Sequence, residues 1–149
     1  MPTFPSILAI DHDNYHAKYV GHTGDGRQFF LTTQFITPLS QHMRSREFVA
    51  LYLFDAEGVL VEARIDNLGS RQSLNEQDRQ LLIEQRLGEL GEVQYGRIQV
   101  RPFQIVRFGT RFGLIVRPST NEHGEWWVNL EPGHSMAFYE PWDSGIYDT

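Results

Sequence analysis

The fold of this chain is decided by the stretch EFVALYLFD, which runs from Glu47 to Asp55. Its seven central residues, Phe48 to Phe54, are all apolar, and most are aromatic or branched, as β-strands prefer. A strand that is apolar at every position has no face for water, so both of its faces must be covered. The stretch therefore predicts a central strand of a sheet.

The residues that follow predict the partner of this strand in a hairpin. A loop of three residues, Ala56-Glu57-Gly58, ends in glycine, as a type I turn followed by a bulge prefers. The segment from Val59 to Ile65 then alternates, and we expect one face to carry Val59, Val61, Ala63 and Ile65. The other face carries Leu60, Glu62 and Arg64 and is the wetter one, which predicts a strand nearer an edge of the sheet or under solvent.

A second hairpin is predicted upstream, within residues 15–36. Two β-favouring runs, residues 17–20 and 28–32, flank the turn Gly24-Asp25-Gly26. Asp-Gly between two such runs is the strongest short-range signal of a hairpin.

The period then changes from that of a strand to that of a helix. Ser73-Leu74-Asn75-Glu76 has the pattern of a capping box, with Ser73 as N-cap and Glu76 at position N3. Leucines follow at roughly helical spacing, and Gly88 or Gly91 can end the helix. We expect a helix over residues 74–89 whose apolar stripe covers one face of the sheet.

The chain from Glu92 onward again has the pattern of strands. The segment Phe108 to Gly113 predicts a bend or bulge between two of them. Residues 121–125 form a polar loop, residues 126–130 and 136–139 are predicted strands, and Pro132-Gly133 is a turn between them. The whole pattern predicts a single α+β domain over residues 1–149, with a mainly antiparallel sheet of about six to eight strands and one principal helix.

Composition excludes several classes of function. The chain has no cysteine, hence no disulfide, thiol nucleophile or thiolate metal site. Its longest apolar stretch is seven residues, and its first ten residues lack the basic and apolar pattern of a signal peptide, so we expect a cytoplasmic protein outside the membrane. The net charge of −6 disfavours nucleic acid as a partner.

No catalytic, cofactor or metal motif is found. His12 and His16 are four residues apart, which on a strand spans about 13 Å and is too far for one metal ion. His134 and Ser135 are adjacent, and neighbouring strand residues point to opposite faces, so they do not predict a dyad. We therefore expect no cofactor and favour a non-enzymatic function. An unrecognised site of Asp, Glu and His in a sheet-lined pocket remains an alternative.

The distribution of charge is the most informative feature. Five arginines and no acid lie between Arg97 and Arg117, whereas six acids and no base follow Arg117. One interpretation is that these segments are neighbouring strands whose charges pair across the sheet. The other is that the acidic and aromatic C-terminal third binds a cationic protein. The candidate residues for partner binding are Trp126, Glu131, Tyr139, Glu140, Trp142, Asp143, Tyr147 and Asp148. The polar segment from Glu140 to Thr149, with its Trp and Tyr, either fastens to the domain or binds a partner.

Several stretches together resemble a family of small bacterial proteins, some described as formate hydrogenlyase regulatory proteins of the HycA type. The stretches are Gly24 to Phe30, Glu47 to Asp55, Ala63 to Asp66, Phe108-Gly109 and Glu140 to Gly145. The resemblance implies a regulatory role in formate or hydrogenase metabolism. From size, charge and the acidic third we instead expect a non-enzymatic protein-binding module, such as an immunity protein that neutralises a cationic toxin. The regulatory role is the alternative.

Overall fold

A computed structural model describes residues 3–36, 45–70, 75–118 and 125–149. These residues form eleven strands and one helix. In chain order the elements are β1 (Leu8–Ile10), β2 (Tyr19–Thr23), β3 (Gln28–Ile36), β4 (Arg46–Phe54), β5 (Leu60–Gly69), α1 (Glu76–Glu89), β6 (Val93–Tyr95), β7 (Ile98–Val100), β8 (Phe103–Arg107), β9 (Thr110–Pro118), β10 (Trp126–Glu131) and β11 (Ala137–Phe138).

The strands form three antiparallel sheets. The first has five strands in the order β5-β4-β3-β2-β6, the second has four in the order β11-β10-β9-β8, and the third is the pair β1-β7. The predicted α+β class with antiparallel pairing and one helix is confirmed. The strand count exceeds the expected six to eight because β1, β6, β7 and β11 have only two or three residues each, too few to show a pattern.

The interior strand β4 divides the core into two layers. Ala50, Tyr52 and Phe54 pack in the larger core, together with buried side chains of the β1-β7 pair and the four-stranded sheet. Val49 and Leu51 pack on the opposite face, in a smaller core with Ile83 of α1. The prediction that this stretch is covered on both faces is confirmed, and the layers run from α1 through the five-stranded sheet to the other strands.

The helix begins two residues later than expected. Its N-cap is Asn75, whose side-chain oxygen accepts a hydrogen bond from the Gln77 N–H at 2.8 Å. The prediction of Ser73 as the N-cap is therefore wrong, and Asn75 serves equally well because Asn caps helices as strongly as Ser. Ser73 and Leu74 lie outside the described residues. The end at Glu89 is as predicted. Within the described ranges, no helix is long and apolar enough to cross a membrane.

A β-bulge in β5 overturns the alternation predicted for this strand. Leu53 and Phe54 of β4 are paired with Glu62 and Leu60, so Val61 is an extra residue in the ladder. Leu60 therefore packs on the larger core with Ala63 and Ile65, whereas Val59 and Val61 are exposed. The predicted position of the strand at an edge of the sheet is confirmed.

The bend or bulge predicted over Phe108 to Gly113 is a two-residue turn at Phe108-Gly109, and Thr110 to Gly113 already belong to β9. Arg107 of β8 pairs with Thr110 of β9, and the two residues between them have φ angles of 53° and 69°. Positive φ at both positions is the signature of a type I′ turn, whose twist matches that of a hairpin.

Candidate partner-binding site

The arginine-rich and acidic segments pair with each other, as the first interpretation of the charge distribution predicted. β9 and β10 are neighbours, and the buried Glu131 carboxylate contacts both Arg111, at 3.2 Å, and Arg117. Burial raises the pKa of Glu131, but the two guanidinium groups outweigh this and hold it below its ordinary value. Glu131 is thus an internal ion-pair partner, and its carboxylate does not point to a partner.

The C-terminal segment is fastened to the N-terminal one. The Trp142 indole N–H donates to the Thr3 carbonyl at 3.1 Å, and the ring packs against the larger core. The Ala9 N–H donates to the Trp142 carbonyl at 2.9 Å, and the Glu140 carboxylate accepts from the Thr3 N–H at 2.8 Å. We call this surface the seam, formed by residues 3–16 and 139–149. Trp142 therefore fixes the backbone that presents its neighbours.

Tyr147 is the second anchor of the seam. Its hydroxyl donates to the Asp13 carboxylate at 2.5 Å and accepts from the His16 N–H at 3.1 Å. Asp13 also accepts from the N–H groups of Tyr15 and Ala17, at 2.8 and 3.0 Å. Burial raises the pKa of Asp13, but these hydrogen bonds outweigh it and lower the pKa below its ordinary value. Burial, together with the bond to Asp13, raises the pKa of Tyr147 to about 12.

Gly145 allows the two segments of the seam to approach closely. Its φ is +81°, and a Cβ atom there would lie 2.3 Å from the Asp11 carboxylate. Its carbonyl accepts from the Asp11 N–H at 2.9 Å. The Asp11 carboxylate is also paired with Arg97 at 3.2 Å, and Arg97 donates to the Asp143 carbonyl. A side chain at position 145 would push these groups apart.

The outer side of the seam combines exposed apolar side chains with carboxylates. Of the residues predicted for partner binding, four are exposed here: Tyr139, Glu140, Asp143 and Asp148. Sequence reasoning missed three exposed apolar residues of the seam: Ile146, Tyr15 and Phe4, which are 72, 65 and 56% accessible. The Phe4 ring packs edge-on against the half-buried Trp126, with centroids 5.0 Å apart.

A cavity of about 350 Å³ opens in the seam, and its lining residues are Asp11, Asp13, Tyr15, Gly145, Ile146, Tyr147 and Thr149. The Asp11 carboxylate is already paired with Arg97, but the Asp13 carboxylate and the two tyrosines suit a cationic side chain, because charge and aromatic rings both attract it. Asp13 carries its charge at neutral pH, since its pKa is lowered. The cavity joins residues more than 130 positions apart in the chain, so no local pattern pointed to it.

The histidines do not converge. Residues 14–18 form bends and turns, so the strand spacing assumed for His12 and His16 is wrong. His12 stacks on Tyr95 and His16 packs against Tyr15, with centroid distances of 5.3 and 3.8 Å. His134 contacts Asn129, while His42 and His123 lie outside the described residues. Within the part of the chain that is described, no three His, Asp or Glu side chains gather to hold a metal ion.

The geometry thus gives a fastened, acidic and partly apolar surface at the seam. Comparison of the chain with protein-family models, with curated proteins and with solved structures gave no match.

Proposed function

We propose that this protein is a small cytoplasmic, non-enzymatic binding module that receives a cationic protein on its seam. An immunity protein that neutralises a basic toxin is the form of this function that we favour. The observation that carries the proposal is the exposed pair Tyr15 and Ile146, which lines an acidic cavity, with the exposed Phe4 elsewhere on the seam.

The contact surface has the composition of a binding hot spot. Aromatic side chains give large contact area at a low cost in conformational entropy, and aliphatic ones add buried apolar area. The fastening by Trp142 and Tyr147 holds this surface in place before a partner arrives, which lowers the entropy lost on binding. In a protein with a net charge of −6, the carboxylates also speed the approach of a cationic partner.

The protonation states of Asp13 and Tyr147 favour binding over acid-base catalysis by these two groups. A general acid or base works best with a pKa near the working pH. The pKa of Tyr147 is raised to about 12, and that of Asp13 is lowered below its ordinary value of 3.8. Neither group exchanges a proton readily at pH 7, whereas a permanent carboxylate in an aromatic cavity is well suited to hold an arginine or lysine side chain.

The proposal is tested with the purified products of the reading frames that flank the gene. Binding is measured by isothermal titration, first with the wild type and then with Asp143→Lys. The matched control is Glu84→Lys, which makes the same change of charge on the exposed face of α1. Ile146→Ser tests the apolar part, and Val61→Ser, on the exposed bulge of β5, is its control.

We expect one cationic product to bind, with at least about tenfold weaker binding for Asp143→Lys and for Ile146→Ser and little change for the two controls. Trp142→Ala is not a clean probe, because the ring also packs against the core. Equal losses for Asp143→Lys and Glu84→Lys would show that only net charge matters and would remove the seam as the site.

A further inference from the structure

Strand β8 has an unpaired edge at one end of the four-stranded sheet, as far as the described residues show. It is the last strand of its sheet and pairs only with β9 among the described residues. Arg107 and Thr110 flank a two-residue turn and so form a hydrogen-bonded pair, and such pairs alternate along the ladder. The backbone N–H and C=O groups of Gln104 and Val106 therefore point away from β9. These are the groups that an added strand would use.

The side chains of this hairpin are unusually apolar for an exposed edge. Val106 is 60% accessible, and Phe108 at the tip is 49% accessible. Phe108 has a φ of +53°, a conformation in which a turn normally places Asn, Asp or Gly. A bulky side chain held there costs free energy that those residues would avoid. The Phe108 ring stacks on the buried Phe48, with centroids 6.0 Å apart, and the rest of the ring stays accessible to a partner.

Of the arginines without a described carboxylate partner, two contact the β8–β9 hairpin or belong to it, and the third lies two residues before β8. Seven of the ten described arginines lie in ion pairs. The other three have no described carboxylate within ion-pairing distance, and they are Arg46, Arg101 and Arg107. Arg46 donates to the Phe108 carbonyl and to the Thr110 hydroxyl, at 3.4 and 3.1 Å. Arg107 donates to the carbonyl of its neighbour Val106 at 3.0 Å, and Arg101 donates to the Glu57 carbonyl at 3.2 Å.

We propose that β8 binds an extended acidic segment of a further partner as an added strand. The open backbone groups supply the hydrogen bonds of strand addition, and Val106 and Phe108 supply apolar contacts. Arg101 lies two residues before β8 and Arg107 is its last residue, so together they select a segment with a carboxylate near each end. The Arg107 guanidinium, which now covers the Val106 carbonyl, is replaced there by an N–H of the incoming strand and turns to a carboxylate. This surface is opposite in charge to the seam and is separate from it.

The experiment uses the full chain and two fluorescein-labelled heptapeptides. One has glutamate at both ends of a Val-Thr-Val-Thr-Val core, and the other has lysine at both ends. Fluorescence anisotropy gives the affinities, and amide hydrogen exchange by NMR reports on Gln104 and Val106. We expect the glutamate peptide to bind at least tenfold more tightly than the lysine peptide and to protect both amides from exchange.

Variants separate the backbone from the charge. Val106→Pro removes the outward N–H and is expected to abolish binding, whereas Val106→Thr keeps it. Arg107→Glu is expected to weaken binding of the glutamate peptide by about tenfold, and Lys18→Glu, the same change of charge elsewhere, is not. If Val106→Pro does not fold, the Arg107→Glu comparison and the exchange data still decide.

Three outcomes would overturn the proposal. The first is equal binding of the two peptides, and the second is no binding of the glutamate peptide at concentrations up to about 1 mM. The third is self-association in sedimentation equilibrium with protection of the Val106 amide, which would make a second copy of this chain the occupant.

Discussion

Replacing Tyr147 by Phe removes the hydroxyl that joins the two sides of the seam. The hydroxyl donates to the charged Asp13 carboxylate at 2.5 Å and accepts from the His16 N–H at 3.1 Å. A hydrogen bond to a charged group contributes about 1.5–3 kcal/mol when it is shielded from water. Since water reaches this site and can replace part of the contact, we expect a loss of about 1–2 kcal/mol in the free energy of unfolding. For a chain of this size, that lowers Tm by roughly 2–8 °C.

The pH dependence gives this prediction a second signature. The pKa of Asp13 is lowered in the folded protein, so the stability that it contributes is present above its ordinary pKa of 3.8 and is lost as the pH falls through the folded value. The pKa of Tyr147 is raised to about 12, so its contribution is present below its ordinary value of 10.0 and is lost as the pH rises towards 12. The difference between wild type and Tyr147→Phe should therefore be largest between about pH 5 and pH 9.

The assay is urea denaturation at several pH values, with Tyr15→Phe as a control because that ring is exposed. A double-mutant cycle of Tyr147→Phe with Asp13→Asn isolates the contact, and we expect a coupling energy of about 1 kcal/mol. A loss below about 0.5 kcal/mol at pH 7, or strictly additive substitutions, would refute the role of this hydrogen bond.

Three further substitutions test the packing by urea denaturation at pH 7. Gly145→Ala should lower the free energy of unfolding by about 2–3 kcal/mol, because both the positive φ and the facing Asp11 carboxylate oppose a Cβ atom. The control Gly26→Ala, with a similar φ but open space around it, should cost about 1 kcal/mol. Equal costs would contradict the close approach at Gly145. Glu131→Gln should lower the free energy of unfolding by about 1–2 kcal/mol at pH 7 and by progressively less below about pH 4.5. The pKa of Glu131 is lowered in the folded protein, so the stability from its ion pairs is lost as the carboxylate is protonated. A loss that does not depend on pH would contradict the ion pairs. Tyr52→Phe should lower the free energy of unfolding by about 1–3 kcal/mol, because the Tyr52 hydroxyl donates to the buried Gln34 side-chain oxygen at 2.6 Å and that oxygen would lose its donor. An unchanged stability would show that water replaces the hydroxyl.

Local features of the fold were predictable because their causes are local. The apolar run of β4, the Gly24-Asp25-Gly26 turn and the end of α1 at Glu89 each follow from residues within one element. The bulge at Val61 was not predictable, because Val59, Leu60 and Val61 are all apolar and the sequence does not show which of them faces the core.

Contacts between segments that are distant in the chain could not be predicted from local sequence patterns. Gln28 is an example, since its buried side-chain amide donates to the Gln99 carbonyl at 2.8 Å and accepts from the Gln99 N–H at 2.7 Å, as a strand residue would. Nothing around Gln28 marks it for this role. The candidate site was predictable in its C-terminal half, where acids and aromatics are dense. The other half, with Phe4 and Tyr15, comes from the N-terminal segment, which reaches the site only through its tertiary contacts with residues 139–149.

The β1-β7 pair has a consequence for the order in which the chain folds. Ile10 is synthesised nearly ninety residues before its partner Ile98, and the seam waits longer still, for residues 139–149. Closing such long loops is slow, so we expect β1 to become protected late in refolding, after the contiguous hairpins of β2 to β5. Pulse-labelling hydrogen exchange would detect this order, and early protection of β1 would exclude it. The seam, which we propose as the binding surface, would then be completed last, so binding would report that the whole domain has folded.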